Sequence, residues 1–194
     1  MMKKAISLSV LFAALIPALA PAQEKNMHPV VEIVTTKGTI EVTLDAEKAP
    51  VTVANFLSYV KDGFYDRTIF HRVMKGFMIQ GGGYSVERVK KETKAPIKNE
   101  AGNGLQNLRG TIAMARTNVI NSAMSQFYIN HRDNDSLNHR NNSQKYYGYA
   151  VFGKVTKGMD VVDAIAEIPT KVVSMEFQNM PVEPVMINTI RIKE

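Results

Sequence analysis

The chain has 194 residues, of which 45% are hydrophobic and 22% are charged, as expected for one globular domain with a substantial core. It contains no cysteine, which excludes disulfide bonds, a thiolate nucleophile, a cysteine-based zinc site and a lipoprotein anchor. The net charge is +6, or 22 − 18 = +4 without Lys3 and Lys4, which is a mild excess. The most basic stretch, residues 88–98, is interrupted by Glu92 and has no interleaved aromatic residue. This pattern is typical of a solvated loop and argues against nucleic-acid binding.

The N-terminal segment has the parts of an export signal. Two lysines near the start precede an apolar run over residues 5–19, which is short for a bilayer span, and the small residues Ala20 and Ala22 follow. We therefore expect residues 1–22 to be a cleaved signal peptide and residues 23–194 to form one mature domain. An uncleaved anchor is the alternative. After cleavage we expect no stable membrane association.

A hairpin and a helix are predicted next. Apolar and polar residues alternate over residues 31–35 and 40–44 on either side of a Lys37-Gly38 turn, which indicates an antiparallel pair with one buried face. A helix is predicted from Pro50, and Gly63 is expected to end it. Its core-facing stripe at helical spacing consists of Val53, Phe56, Leu57 and Val60.

Residues 68–83 are predicted to form a second hairpin with a tight turn at residues 74–76. Its strands are mainly apolar, but each carries one hydrogen-bonding side chain, Arg72 on the first and Gln80 on the second. Alternation places Arg72 on the same face as Phe70 and opposite His71. A guanidinium among apolar side chains is costly to bury, so it either reaches water along its stem or has a functional role.

The second half of the chain alternates between polar loops and short strands. Gly81-Gly82-Gly83 is interpreted as a bulge or a close backbone approach, since the lysine and hydroxyl residue of a phosphate loop do not follow. Residues 84–107 are predicted as a long surface connection. Further strands are predicted at residues 111–115, 127–130, 150–155 and 185–192. In the last strand, alternation places Ile187 and Ile190 on opposite faces.

A second helix is predicted over residues 158–168, with Val161, Ile165 and Ile168 on one side and Pro169 as its stop. The sequence therefore contains many short strands and two helices at distant positions. This pattern indicates a closed or nearly closed antiparallel β-barrel with helical caps.

Three blocks of sequence form a recognisable signature. They are Phe70-His-Arg-Val73 with Gly76-Phe-Met-Ile-Gln-Gly-Gly82, Met114-Ala-Arg116 with Ser125-Gln-Phe-Tyr-Ile-Asn130, and Tyr149-Ala-Val-Phe-Gly-Lys-Val155. In this order they closely resemble the cyclophilins, which are peptidyl-prolyl cis-trans isomerases. The resemblance covers roughly residues 29–193. It implies a mainly β fold, a closed eight-stranded antiparallel β-barrel capped by two α-helices, and a monomer that uses no cofactor and no metal.

The resemblance also implies residue roles at the matching positions. Arg72 would donate a hydrogen bond to the prolyl amide, and Gln80 would orient Arg72 and bind the substrate backbone. The apolar proline pocket would consist of Phe77, Met78, Tyr128 and Leu137. The residues preceding proline would be held by Ala115, Arg116 and Gln126, while Tyr149 would border the pocket. The implied partners are proline-containing, unfolded or partly folded polypeptides, and the signal segment places the expected activity in the bacterial periplasm.

Four positions depart from the family pattern. Tyr128 replaces the usual phenylalanine and adds a hydroxyl to the pocket. Tyr149 stands where many eukaryotic members have histidine. Ser136 stands where those members have tryptophan, and for this reason we expect weak binding of cyclosporin-type macrocycles. Lys75 occupies a turn position commonly held by proline. None of these changes removes the donor arginine or the glutamine beside it.

Two other functions are considered. The same groove could bind proline segments without turning them over, but a pure binder has no need of an arginine directed at the amide. A metal-dependent or serine hydrolase would draw on the four histidines, His28, His71, His131 and His139. The sequence lacks the spacings of such enzymes, and His71 on an apolar strand is more often a core residue.

Overall fold

Short strands of alternating polarity close into a barrel in the computed structural model, which describes residues 26–193. The barrel strands are β1 (Val30–Thr35), β2 (Gly38–Leu44), β3 (Thr68–Met74), β4 (Met78–Ser85), β5 (Thr111–Met114), β6 (Phe127–Asn130), β7 (Val151–Lys157) and β10 (Met186–Ile192). A separate pair joins β8 (Thr170–Lys171) to β9 (Met180–Pro181). Around the barrel the order is β1-β10-β3-β4-β6-β5-β7-β2, with antiparallel neighbours throughout. The predicted eight-stranded antiparallel barrel is confirmed.

Within residues 26–193 two α-helices accompany the barrel, α1 (Pro50–Lys61) and α2 (Met159–Ala166). Helix α1 begins at its proline, and Gly63 follows its end with a φ of +62°, as the sequence predicted. The ring of Phe56 from this helix lies 5.2 Å from that of Phe152, so α1 covers the aromatic part of the core. No helix among residues 26–193 is long and apolar enough to span a membrane. The predicted signal peptide lies outside these residues.

The predicted boundaries and faces of α2 were partly wrong. The helix ends at Ala166 rather than at residue 168, and its buried residues are Val162, Ile165 and Ala166. Val161 and Ile168 are only partly buried at the edge of the core. The helix is therefore two turns long, and its core-facing stripe is rotated by one residue from the predicted one.

A β-bulge overturns the predicted faces of β10. Val34 pairs with Thr189 and Thr35 pairs with Ile187, so Asn188 is an extra residue without a partner on β1. Because the bulge shifts the alternation by one residue, Ile187 and Ile190 are both buried in the core, and not on opposite faces as predicted. Strict alternation cannot reveal such a shift.

Candidate active site

The sequence-predicted site residues come together in one cleft with a volume of about 310 Å³ on the outside of the barrel. Strands β3 and β4 provide one side of it, and the ends of β5 and β6 provide the other. All ten lie in the cleft lining, namely Arg72, Phe77, Met78, Gln80, Ala115, Arg116, Gln126, Tyr128, Leu137 and Tyr149. Their proximity is an observation, whereas their roles stay predictions.

A bulge in β3 directs Arg72 into the cleft. Phe70 pairs with Gly81, but Arg72 pairs with Gln80, so β3 contains one residue more than β4 in this interval. As a result Phe70 and Val73 both pack in the barrel core, while Arg72 is exposed and His71 is buried outside the barrel. The predicted sharing of one face by Phe70 and Arg72 was therefore wrong. Bulges often redirect a side chain next to a functional site.

Arg72 and Gln80 are cross-strand neighbours with a weak direct contact. Nη1 of Arg72 lies 3.4 Å from Oε1 of Gln80. The guanidinium also lies over the ring of Phe77, with its central carbon 5.9 Å from the ring centroid. Gln80 in turn donates from Nε2 to Oε1 of Gln126 at 2.9 Å. The two glutamine amides thus form a short chain of hydrogen bonds that ends at the guanidinium.

The glycine run in β4 makes room for Gln126. A Cβ atom on Gly83 would lie 2.5 Å from Nε2 of Gln126, closer than any side chain allows. Gly82 has a φ of +79°, and a Cβ there would lie 2.9 Å from the rings of Phe127 and Tyr65. The interpretation of residues 81–83 as a close backbone approach with a bulge is confirmed. Strand β4 continues to Ser85, so the predicted loop from residue 84 began too early.

The expected proline pocket forms a small apolar cluster separate from the barrel core. Met78 and Tyr128 are buried in it, and Phe77, Leu137 and Tyr149 pack against them. Leu137 ends a single 3-10 turn, Asp135–Leu137. The backbone carbonyl of Leu137 accepts a hydrogen bond from the backbone N–H of Tyr149 at 3.0 Å. Leu137 is therefore partly buried against this cluster and lines the cleft.

The hydroxyl of Tyr128 is hydrogen bonded behind this pocket. It donates to Oδ1 of Asn107 at 2.7 Å, and Asn107 is fully buried. Oδ1 of Asn107 also accepts a hydrogen bond from the side chain of Asn130. The side-chain amide of Asn134 donates both to Oδ1 of Asn130 and to the backbone carbonyl of Phe77. Burial raises the pKa of Tyr128 well above its ordinary value of 10, so the hydroxyl remains a donor. The extra hydroxyl therefore supports the pocket wall.

Arg116 closes the opposite side of the cleft. Its guanidinium lies 4.7 Å from the ring centroid of Tyr149, and its Nε donates to the carbonyl of Gly148 at 2.9 Å. A neighbouring cavity of about 130 Å³ is lined by Gln80, Ala115, Arg116 and Gln126, among others. The residues expected to hold the segment before proline thus lie between the two cavities.

Three further residues line the cleft that sequence reasoning did not assign to it, namely His71, Tyr84 and Glu176. His71 is 4% exposed, and its Nδ1 has no hydrogen-bond partner among the described residues. Burial lowers its pKa to about 4, so the ring is neutral near pH 7. The rings of His71 and Tyr84 lie 4.7 Å apart, and the Tyr84 hydroxyl donates to Glu176. No sequence pattern links Glu176 to Tyr84, because 92 residues separate them.

The remaining histidines lie apart from the cleft. His28 is exposed, His131 contacts Asp163 at 3.2 Å, and Nδ1 of His139 lies 2.7 Å from the carbonyl of Tyr147. Within residues 26–193, no three His, Asp or Glu side chains are grouped as a metal site requires. The described residues therefore provide no metal-ligand cluster that would support the alternative of a metal-dependent hydrolase.

The signature residues, the barrel and the cleft agree with comparisons to known proteins. The sequence model of the family described as cyclophilin type peptidyl-prolyl cis-trans isomerase/CLD matches residues 30–192. The chain belongs to this cyclophilin family. It is 49% identical over 191 residues to peptidyl-prolyl cis-trans isomerase A of Dickeya dadantii, covering 98% of both chains. It is 51% identical over 160 residues to peptidyl-prolyl cis-trans isomerase B of Escherichia coli, covering 82% of this chain and 97% of that relative.

Solved cyclophilins have the same fold. A Cryptosporidium parvum cyclophilin type peptidyl-prolyl cis-trans isomerase, crystallised in the presence of the dipeptide Ala-Pro, superposes with a TM-score of 0.70 at 27% identity. The match covers 85% of this chain and 99% of that one. The protein is therefore a peptidyl-prolyl cis-trans isomerase by family. Its substrates are accordingly proline-containing polypeptides.

Proposed function

We propose that this isomerase acts on exported polypeptides during their folding, and that it does so without metal or covalent chemistry through a hydrogen bond from Arg72 to the prolyl amide. The observation that carries the proposal is the exposed guanidinium of Arg72 at the edge of an apolar pocket. A donor and an adjoining pocket are the two parts that this reaction requires.

The chemistry follows from the nature of the peptide bond. Resonance flattens the bond and gives a rotation barrier of about 18–20 kcal/mol. Rotation breaks that conjugation, and the prolyl nitrogen gains a lone pair that accepts a hydrogen bond. A donor held near this nitrogen therefore interacts more strongly with the twisted state than with either planar isomer, which lowers the barrier. No bond is formed or broken and no proton is transferred.

The contacts around Arg72 suit this role. Its guanidinium is permanently charged, and Gln80 and the ring of Phe77 lie against it, which restricts where it points. Gln80 is itself held by Gln126. In this proposal the glutamine pair sets the direction of the guanidinium before substrate arrives, so less reorganisation is needed in the twisted state.

The apolar pocket supplies the grip on the proline ring. The cleft volume of about 310 Å³ is at the lower end of the range for small-ligand sites, which suits a ring with one or two flanking residues. Met78 and Tyr128 form its buried floor. A bound ring would displace water from the neighbourhood of Arg72, and the hydrogen bond from Arg72 would become stronger in the drier site.

The exported location is supported by the N-terminal segment. The Dickeya relative matches 98% of this chain, so its alignment includes most of residues 1–22. The Escherichia coli relative matches 82% of this chain with 97% of its own length, which leaves almost no residues to match that segment. The segment therefore accompanies some relatives and not others, as an address signal would. If the chain is expressed with its signal in a bacterium, the mature N-terminus should be Gln23.

The decisive experiment is the cis-to-trans rate of a short Ala-Pro peptide with the mature protein and with Arg72→Ala. Loss of one preorganised donor is expected to lower kcat/KM by roughly 10²- to 10³-fold. The matched control is Arg140→Ala, because Arg140 is an exposed arginine outside the cleft lining, and this variant should retain wild-type activity.

Two outcomes would contradict the proposal. A wild-type protein that binds the peptide without accelerating its isomerisation would indicate a holding function. An Arg72→Ala variant with nearly wild-type activity would keep the isomerase but remove the proposed mechanism.

A further inference from the structure

The side of the cleft formed by β3 and β4 also carries His71 and Tyr84, and Glu176 lines the cleft where it accepts from the Tyr84 hydroxyl. Among the described residues that line the cleft, Glu176 is the single carboxylate. It lies in the connection between β8 and β9, whereas Arg116 belongs to the opposite side next to Tyr149. The cleft lining therefore carries one negative side chain together with the two arginines Arg72 and Arg116.

Buried aromatic contacts hold the carboxylate of Glu176 in place. The Tyr84 hydroxyl donates to its Oε1, and Tyr84 is only 5% exposed. The ring of Tyr84 packs against those of His71, 4.7 Å away, and Phe177, 5.0 Å away, and the three rings form one cluster. Burial and the neighbouring carboxylate raise the pKa of Tyr84 to about 12, so it remains a donor at neutral pH. A rigid aromatic support thus fixes one oxygen of an otherwise exposed side chain.

No cation in the described part of the chain neutralises this carboxylate. The ion pairs of residues 26–193 involve other acidic residues, and Glu176 is in none of them. His71 beside it is neutral near pH 7 because burial lowers its pKa to about 4. Arg72 also lines the cleft, but its recorded side-chain contacts are with Gln80 and the ring of Phe77. Glu176 therefore keeps an acceptor oxygen free at the cleft.

We propose that Glu176 forms a subsite for the lysine or arginine side chain of a substrate residue close to the isomerised proline. The inference rests on the proposed function, because it takes Arg72 and the apolar pocket as the place where proline binds. A polypeptide seated there continues along the same cleft, and a carboxylate with a fixed oxygen pairs with an ammonium or guanidinium group. The subsite would select among proline sites and leave the chemical step unchanged.

The test compares peptides that differ only in one side chain near an Ala-Pro unit. The varied residue is placed either directly before or directly after that unit. At each position it is lysine, glutamate or norleucine, which is an uncharged residue with the lysine stem. At low ionic strength, lysine at one of these positions should raise kcat/KM about two- to fivefold over norleucine, as expected for an exposed ion pair. Glutamate should lower it. Added salt should reduce both differences.

Two variants assign the preference to the residue. Glu176→Gln retains an acceptor for the Tyr84 hydroxyl but removes the charge, so the ratio of kcat/KM for lysine peptides to that for norleucine peptides should fall to about one. Glu183→Gln is the matched control, because Glu183 lies in the following connection, pairs with Lys37 and is absent from the cleft lining. This variant should retain the preference.

Equal kcat/KM values for lysine and norleucine peptides at every position would overturn the inference while leaving the isomerase intact. A lysine preference that persists in Glu176→Gln would also overturn it. Peptide affinities measured in parallel separate the two proposals. Tighter binding of lysine peptides without any turnover would support the subsite and refute the proposed function.

Discussion

Removal of the Tyr128 hydroxyl should cost stability and leave catalysis intact. In Tyr128→Phe, the 2.7 Å hydrogen bond to the buried Oδ1 of Asn107 is lost. A typical hydrogen bond contributes about 0.5–1.5 kcal/mol, and a buried acceptor left unsatisfied costs about 1–3 kcal/mol. Asn130 still donates to the same oxygen at 3.3 Å, which offsets part of the loss. We therefore expect the free energy of unfolding to fall by about 1–2 kcal/mol.

This change is large enough to measure by heat and by urea. For a chain of this size, 1 kcal/mol corresponds to a shift in Tm of roughly 2–4 °C, so Tm should fall by roughly 2–8 °C. The urea midpoint should fall with an unchanged slope. Tyr146→Phe is the matched control, because Tyr146 is 40% exposed, and its loss should change the free energy of unfolding by less than about 0.5 kcal/mol.

The peptide assay decides whether the hydroxyl acts on substrate. Because it is bonded behind the pocket wall, kcat/KM of Tyr128→Phe should stay within about twofold of wild type under conditions where both proteins are folded. A drop of tenfold or more with an unchanged Tm would refute this reasoning. It would mean that the hydroxyl leaves Asn107 and contacts the bound polypeptide.

Two further predictions concern the support of the cleft and its dependence on pH. Gly83→Ala should displace the Gln126 side chain and lower kcat/KM about tenfold or more. Gly102→Ala is the control, because its added Cβ would meet no atom closer than 3.8 Å and kcat/KM should not change. Similar activities of the two variants would contradict the role of Gln126. His71 is predicted to favour unfolding in acid, because its pKa of about 4 in the folded state lies below its ordinary value of 6.5, so the unfolded chain binds more protons between these values. The resulting stability is present above about pH 6.5, is lost as pH falls towards 4, and amounts to at most about 3 kcal/mol. Urea unfolding at pH 4.5 and pH 7 should therefore differ less for His71→Gln than for wild type, and an equal difference would show that His71 is not the group responsible.

The elements that were predictable from the sequence are those with a local cause. The hairpin around Lys37-Gly38 has a regular alternation, and α1 has a proline start, a helical stripe and a terminal glycine, so both lie close to their predicted bounds. The barrel was inferred from many such local patterns together with the family resemblance. The polar residues that resembled a long loop, such as Asn107, instead form buried networks that depend on distant partners.

The errors in the predicted strand faces have one physical origin. Alternation assumes an unbroken register, and a bulge shifts every later residue of its strand to the other face. Asn188 does this in β10, and the interval between Phe70 and Arg72 does it in β3. The bulge in β10 is defined by its pairing with β1 at the other end of the chain, and the bulge in β3 by its register against the neighbouring β4. A single sequence displays neither register. The same limitation explains why Glu176 was not predicted as a cleft residue.

The bulge in β3 also resolves the question of why an arginine sits within an apolar strand. A regular β3 would place Arg72 on the face of Phe70, inside the barrel, where an unpaired charge would cost several kcal/mol. With one extra residue, the buried place outside the barrel is taken by His71, which burial keeps neutral, and the charged group reaches solvent. Because the Arg72 guanidinium is exposed to solvent, its charge costs the folded state little free energy while the cleft is empty. Under the proposed mechanism, the hydrogen bond from Arg72 would gain strength when a proline ring covers it, so the pocket residues Tyr128 and Phe77 would contribute to the rate as well as to binding.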